Sequence, residues 1–197
     1  LDWLRSVARM PAFTRGRVAT RTLDTLVHRP RALRIVSGGA MTTVQDYPGR
    51  TGYWAVGVPP SGPMDALAFR LGNRLLDNDD DAAGLEFTAH GPTLVFEAAT
   101  GFILTGADCA ATLDGQAITP YAVTHAKAGQ KLAIGRVRGA GLRGYLLIAG
   151  GLDIPAYLGS KAAFTLGEFG GHAGRAVMAG DLLPLRGAAV SQAGPIC

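Results

Sequence analysis

Cysteine is nearly absent from this 197-residue chain, with Cys109 and Cys197 the only two. A disulfide framework or a cysteine-based metal site needs more thiols than that, so neither is indicated and a reducing cytoplasm is the expected setting. Long apolar runs are missing too. No stretch approaches the ~18 uncharged apolar residues of a membrane-crossing helix. Lysine is confined to Lys127, Lys131 and Lys161, and neither the Walker A nor the dinucleotide fingerprint spacing occurs. Charged residues make up only 17% of the chain. Of these, eight arginines (5, 9, 15, 17, 21, 29, 31, 34) face only Asp2 and Asp24 at the start, a balance of +6 against +4 overall, which leaves about −2 for the rest. These arginines are dispersed among apolar residues rather than grouped as a nucleic-acid arm. With no initiator Met, the segment reads as part of a longer polypeptide.

What the chain does hold is glycine, 28 residues, and proline, 11, within a composition that is 48% hydrophobic. A chain of this size buries roughly 70% of its unfolded surface, enough for one main core, and the glycine and proline content argues against a helical bundle. From Leu33 onward, short β-branched and aromatic runs alternate with Gly, Pro and Asp turns. Strands are expected at Leu33–Val36, Thr42–Gln45, Gly52–Val56, Leu85–Thr88, Thr93–Glu97, Phe102–Thr105, Ala111–Leu113, Gln116–Ile118, Ala122–Ala126, Lys131–Ile134 and Gly144–Ala149. Asp114-Gly115 is a type I′ hairpin signal, because both central positions need positive φ. The fold class is therefore mainly β with a few helices, arranged as a barrel or sandwich. One helix stands out after Ser61-Gly62-Pro63-Met64-Asp65, with Met64, Leu67, Ala68, Leu71 and Leu75 on one apolar stripe and an end near Asp77. A helix tail is also expected over the first ten residues, ended by Pro11. Asn78-Asp79-Asp80-Asp81 lacks the spacing of a hard-cation loop and reads as solvated, so no metal site is expected.

Three Gly- and Pro-rich stretches carry polar residues that composition does not explain. The first is Thr42-Thr43-Val44-Gln45-Asp46-Tyr47-Pro48-Gly49-Arg50. The second, Val56-Gly57-Val58-Pro59-Pro60-Ser61-Gly62-Pro63-Met64-Asp65, stiffens the chain before a helix start, where free backbone N–H groups can hold an anionic oxygen. The third runs from Phe164 to Arg175 and packs four glycines into eight residues beside His172 and Arg175. Taken singly, each stretch has a plain structural explanation. Asp46 and Asp65 can cap a turn or a helix, Arg50 can anchor the Gly49 turn, and Ser61 lacks the flanks of a nucleophile elbow.

Together with Gly91-Pro92-Thr93-Leu94, Leu104-Thr105-Gly106-Ala107-Asp108 and Ala149-Gly150-Gly151-Leu152-Asp153-Ile154-Pro155, these stretches resemble the successive signatures of the biotin-dependent carboxyltransferase A/B family. That family includes KipA-type proteins, the C subunit of bacterial 5-oxoprolinase and allophanate hydrolase subunit 2. The resemblance implies a cyclophilin-like β-barrel, truncated because the family continues beyond Gly180-Asp181. Trp3-Leu4-Arg5 and Pro11 to Arg21 are similar to the end of a biotin carboxylase domain, which points within the family to the urea carboxylase (urea amidolyase) type. The expected division is residues 1–31 as a biotin carboxylase tail plus linker, 32–187 as an incomplete carboxyltransferase A/B domain, and 188–197 as an unmatched tail.

The reaction that this resemblance implies transfers a carboxyl group from carboxybiotin to urea, forming allophanate. It needs donors for the ureido oxygen, a proton acceptor and exclusion of water. On family-matching positions, Pro60-Ser61-Gly62 is the candidate oxygen-binding turn, with Asp65, Asp46 and Ser61 as catalytic candidates. Gln45, Tyr47, Arg50, Gly62, His172 and Arg175 are the candidates for holding urea or the carboxylate. None of the three lysines has the Met-Lys-Met context of a biotin acceptor, so biotin arrives on a carrier domain, and ATP with Mg belongs to an upstream biotin carboxylase domain. A companion carboxyltransferase C/D (KipI-like) module is the further expected partner; nucleic acid and membrane are not. The alternatives are a role like that of the 5-oxoprolinase C subunit in ATP-dependent lactam opening, and a KipA-type regulatory or binding protein without chemistry of its own.

Overall fold

The computed structural model describes residues 2–26 and 30–186; Arg29 of the expected linker and the tail 188–197 lie outside these. Among the described residues, eleven strands form two antiparallel sheets. The first has the order β11 (Leu182–Pro184), β1 (Ala32–Ser37), β4 (Thr93–Phe96), β9 (Lys131–Val137), β6 (Cys109–Leu113), β7 (Gln116–Ala117). The second has the order β2 (Thr43–Gln45), β3 (Gly84–Thr88), β10 (Arg143–Ile148), β5 (Thr100–Gly106), β8 (Thr124–Ala126). The mainly-β expectation holds, and the two sheets are not closed on each other. Asp114 and Gly115 have φ of 49° and 83° and join Leu113 to Gln116 as the hairpin signal required.

The main core lies between the sheets, where Leu33, Ile35, Leu94, Phe96, Leu132 and Ile134 of one meet Leu85, Phe87, Phe102, Leu104, Leu146 and Ile148 of the other. Successive strand residues point to opposite faces, so Ile103, Tyr145 and Leu147 emerge on the far side of the second sheet. There they pack with Ala68 and Phe69 of a helix, α3 (Ala66–Leu75). With both faces covered, β5 and β10 read as near-continuous apolar runs, the pattern of a doubly buried strand.

Two shorter helices precede the sheets, α1 (Asp2–Ala8) and α2 (Pro11–Thr14). Pro11 ends the first, as expected, and also opens the second, since the missing N–H of a proline is harmless in a helix's first turn. Among the described residues no helix is long and apolar enough to cross a membrane.

The structure departs from the sequence-based expectations, or adds to them, at three places. The strand expected at Gly52–Val56 is instead a 3-10 turn at Trp54–Val56, closed by Gly57 at φ 80°; its exposed Trp and Val meet no partner strand. The terminal strand β11 carries Pro184, which hides it from a reading that treats proline as a breaker but is tolerated at a sheet edge. Third, α3 is turned from its expected orientation. Met64 and Leu67 are 71% and 77% exposed and Leu71 and Leu75 also face solvent, whereas Ala68, Phe69, Gly72 and Asn73 are buried. The reason is close approach. A Cβ on Gly72 would lie 2.4 Å from Leu147 Cδ1 and 2.9 Å from Thr105 Cγ2, so only the small-residue face can reach the sheet. Phe69→Ala is accordingly expected to destabilise by about 3–5 kcal/mol in denaturant unfolding, and Leu67→Ala by less than about 0.5 kcal/mol; the reverse ranking would restore the outward stripe as the packing face.

The helix ends against the acidic loop. Asn78 is a clamp, donating to Asn73 Oδ1 and to the Ile148 carbonyl while accepting from Gly150 N–H at 2.7 Å. Asp80 binds Arg70 and Arg74.

Candidate active site

The first two polar stretches fold against each other. Arg50 N–H donates to the Pro60 carbonyl, and Gly49 permits the contact, since a Cβ there would lie 2.5 Å from that oxygen. Gln45 is buried below, accepting from Gly62 N–H at 2.9 Å and donating to Thr43 Oγ1 at 2.9 Å. The third stretch closes over the same loop through Arg50, which is 1% exposed. Its guanidinium donates from Nε to the Tyr157 carbonyl (3.0 Å) and from Nη2 to the Ala162 carbonyl (2.8 Å), and lies over the Phe169 ring at 4.9 Å. Burial lowers its pKa, opposed by the charge of Asp46. Asp46, 7% exposed, accepts from Ser160 Oγ (2.6 Å) and Lys161 N–H (2.7 Å). Gln45, Asp46, Arg50 and Gly62 thus tie three loops into one polar knot.

The expected oxygen-binding turn is mostly occupied by this knot and its neighbours. Gly62 N–H serves Gln45, Met64 N–H serves Glu86 Oε2 (2.8 Å) and Asp65 N–H serves the Tyr145 hydroxyl (2.7 Å). Pro59, Pro60 and Pro63 have no N–H. Ser61, at φ 57°, keeps the N–H of this segment that pairs with no described residue, together with its hydroxyl.

Asp65 stands at the other end of the same segment. It is the N-cap of α3, Oδ1 accepting from Ala68 N–H at 3.0 Å, the arrangement that satisfies an orphan first-turn donor. It also lines an open cleft of about 350 Å³ with Gly106, Ala107, Tyr121, Ala140, Gly141, Leu142 and Arg143. Buried Glu86 supports this wall, accepting from Arg143 Nη1 at 3.2 Å as well as from Met64. Tyr145 beside it has its pKa raised, first by burial and then by the Glu86 and Asp65 charges against the Asp65 N–H bond. Sequence reasoning singled out none of Glu86, Tyr121, Arg143 and Tyr145. The available signal was a carboxylate inside the apolar strand Leu85-Glu86-Phe87, since a buried charge must be paired.

Tyr47 lies apart from this cleft lining, its ring under the Arg70 guanidinium at 4.7 Å. His172 and Arg175 converge on Asp181, Arg175 through two bonds of 2.7 and 2.9 Å and His172 Nε2 at 3.4 Å. The Arg175 bonds hold the Asp181 carboxyl at about 2, against the opposing effect of burial and with further help from Met178 N–H. A carboxylate pKa depressed by folding stabilises above its unfolded value, about 4, and loses that contribution as pH falls through about 2. Asp181→Asn is therefore expected to flatten the acid limb of stability between about pH 4 and 2 by on the order of 2 kcal/mol, read by denaturant midpoints; an unchanged limb would show that the bonds do not persist in solution. Among the described residues no group of three or more His, Cys, Asp or Glu can hold a metal ion.

Comparison with known proteins places this geometry. The carboxyltransferase domain family, subdomain A and B, matches residues 56–195. Urea amidolyase of Saccharomyces cerevisiae is 45% identical over 183 residues, 93% of this chain and 10% of that protein. The C subunit of Escherichia coli 5-oxoprolinase is 40% identical over 153 residues, 78% of this chain and 49% of that protein. The crystal structure of Kluyveromyces lactis urea carboxylase superposes with a TM-score of 0.90 at 44% identity, over 93% of this chain and 16% of that one. The chain therefore spans about a tenth of the urea amidolyase it matches. With the family match covering well over half its length, the chain belongs to the carboxyltransferase domain family of subdomains A and B.

Proposed function

We propose that this chain contributes to the carboxyltransferase centre of a biotin-dependent urea carboxylase, in which urea is carboxylated to allophanate. The observation that carries this reading is the extent of the urea amidolyase match. At 93% of the chain it leaves no room to omit the first 31 residues, whereas the match to the 5-oxoprolinase C subunit, at 78%, does. That supports residues 1–31 as the tail of a biotin carboxylase domain and residues 32–187 as the carboxyltransferase part. The biotin carboxylase with its ATP and Mg, the biotin carrier and a companion C/D module are assigned to the remainder of the parent protein.

Biotin, when presented by a carrier, supplies the carboxyl group. The groups of this chain that remain unpaired fit the rest of the chemistry. Ser61 has an N–H and a hydroxyl to offer a developing ureido oxygen. Asp65 has its second carboxylate oxygen, Oδ2, to accept a proton from a urea nitrogen. To Gln45, Asp46, Arg50 and Gly62 we assign the holding of Ser61 in place, because their polar atoms are directed at backbone and side chains of neighbouring loops. Tyr47, His172 and Arg175 we place outside the proton-transfer step.

The test is a chimera in which this chain replaces the matching segment of the Saccharomyces cerevisiae urea amidolyase. Avidin-sensitive, bicarbonate-dependent ATP hydrolysis that urea stimulates is the expected result. A folded, biotinylated chimera that ignores urea would overturn the reading, and restoration of a 5-oxoprolinase lacking its own C subunit would put the lactam-opening alternative in its place.

A further inference from the structure

The geometry points to Glu86 as a positioning residue, the centre of a buried polar row that holds Ser61 and Asp65 at a fixed spacing. The inference rests on the carboxyltransferase reading and adds to it the group through which the fold sets that spacing. Thr43 of β2, Glu86 of β3, Tyr145 of β10 and Thr105 of β5 stand directly opposite one another across the second sheet. Directly opposed residues share a face, here the one that α3 covers. All four are buried, at 6%, 5%, 0% and 3% exposed. Four polar side chains on a covered face are unfavourable there unless each finds a partner.

Their partners are successive groups of one short segment. Thr43 Oγ1 accepts from Gln45 Nε2 at 2.9 Å, which leaves Gln45 Oε1 to take Gly62 N–H at 2.9 Å. Glu86 Oε2 takes Met64 N–H at 2.8 Å, the Tyr145 hydroxyl takes Asp65 N–H at 2.7 Å, and Thr105 Oγ1 donates to the Ala68 carbonyl at 2.9 Å. Pro63 has no N–H, so every N–H from Gly62 to Asp65 is fixed to this row or to Gln45 beside it. Ser61 and Asp65 bracket the pinned stretch. Glu86 differs from the rest of the row by its charge and its second oxygen, since Oε1 accepts from Arg143 Nη1 at 3.2 Å while Oε2 holds Met64. Glutamine has a single acceptor oxygen, and its NH2 group would face one of those two donors. Only a carboxylate serves both at once.

Glu86→Gln in the chimeric urea carboxylase is expected to lower urea-dependent turnover about tenfold to a hundredfold, the cost of displacing a reacting group by up to about 1 Å. In an Asp65→Asn background the same substitution should cost less than about twofold, because a residue that acts through Asp65 then has nothing left to position. A merely structural role would take its full loss in both backgrounds. Tyr145→Phe breaks the bond to Asp65 N–H and leaves both Glu86 bonds in place, and as the second variant it is expected to show the same non-additivity. The 197-residue chain itself supplies an independent measurement. There Glu86→Gln should speed amide hydrogen exchange at Met64, Asp65 and Ala68 about tenfold, a local opening, with Leu132 and Ile134 of the main core unchanged. Equal losses of turnover in the two backgrounds for both variants, or unchanged exchange at Met64 and Asp65, would each overturn the inference. If the chimera ignores urea while Glu86→Gln still loosens these amides, the carboxyltransferase reading falls and the positioning of the segment by Glu86 stands. If the chimera turns over urea and Glu86→Gln moves neither turnover nor exchange, the inference falls and the reading stands.

Discussion

Asp65→Asn, placed in the chimeric urea carboxylase, is expected to lower urea-dependent turnover about a hundredfold, within the range of roughly 10² to 10⁴ for general-base groups. The argument rests on what the substitution preserves. Asparagine is as good an N-cap as aspartate, so the bond from Ala68 N–H and the start of α3 survive. The amide keeps the shape of the side chain at the cleft wall but accepts a proton far less readily than a carboxylate. Turnover should fall while the thermal midpoint and the KM for bicarbonate, which is consumed in another domain, stay put. Full turnover in a folded protein would leave Asp65 as a helix cap alone.

Asp46→Ala is expected to destabilise the chain by about 3–5 kcal/mol, the loss of two hydrogen bonds to a buried carboxylate at about 1.5–3 kcal/mol each. Three effects add in the same direction. Ser160 Oγ and Lys161 N–H lose their acceptors, the buried Arg50 loses the negative charge that offsets its desolvation, and a small void opens among the loops. Arg50 is itself held by two backbone carbonyls and an aromatic face rather than by a direct bond to Asp46. Arg50→Met in the Asp46→Ala background should therefore recover part of the loss, as apolar replacement of buried charge often does. Denaturant unfolding of the single and double variants measures the coupling. A loss below about 1 kcal/mol for Asp46→Ala, together with a collapse of urea-dependent turnover in the chimera, would move Asp46 from framework to proton acceptor.

The two aspartates show why sequence alone could not sort the site. Asp46 and Asp65 stand equally within Gly- and Pro-rich stretches, and both serve as a cap or a base on chemistry alone. What separates them is the contact of Asp46 with Ser160 and Lys161, more than a hundred residues away, and the opening of a cleft beside Asp65. Glu86 shows locally only as a carboxylate within an apolar strand, and its pairing with Arg143 across neighbouring strands carries no local pattern. Arg175 and His172 stand out by their glycine-rich setting, whereas Asp181, which gathers them, sits in an ordinary turn before β11.

Local chemistry was enough for the mainly-β class, most strand positions, the Asp114-Gly115 hairpin and the existence of α3, because each depends on a period, a turn residue or a cap within a few positions. The successive polar stretches likewise sufficed for the family resemblance. The facing of α3 was different. Its outer stripe is as periodic as any core-facing one, and only the approach distance at Gly72 turns Phe69 inward. The division of the polar residues into a buried knot and an open cleft was also decided by tertiary structure, since whether a carboxylate meets a donor or solvent depends on which distant loop the fold brings beside it.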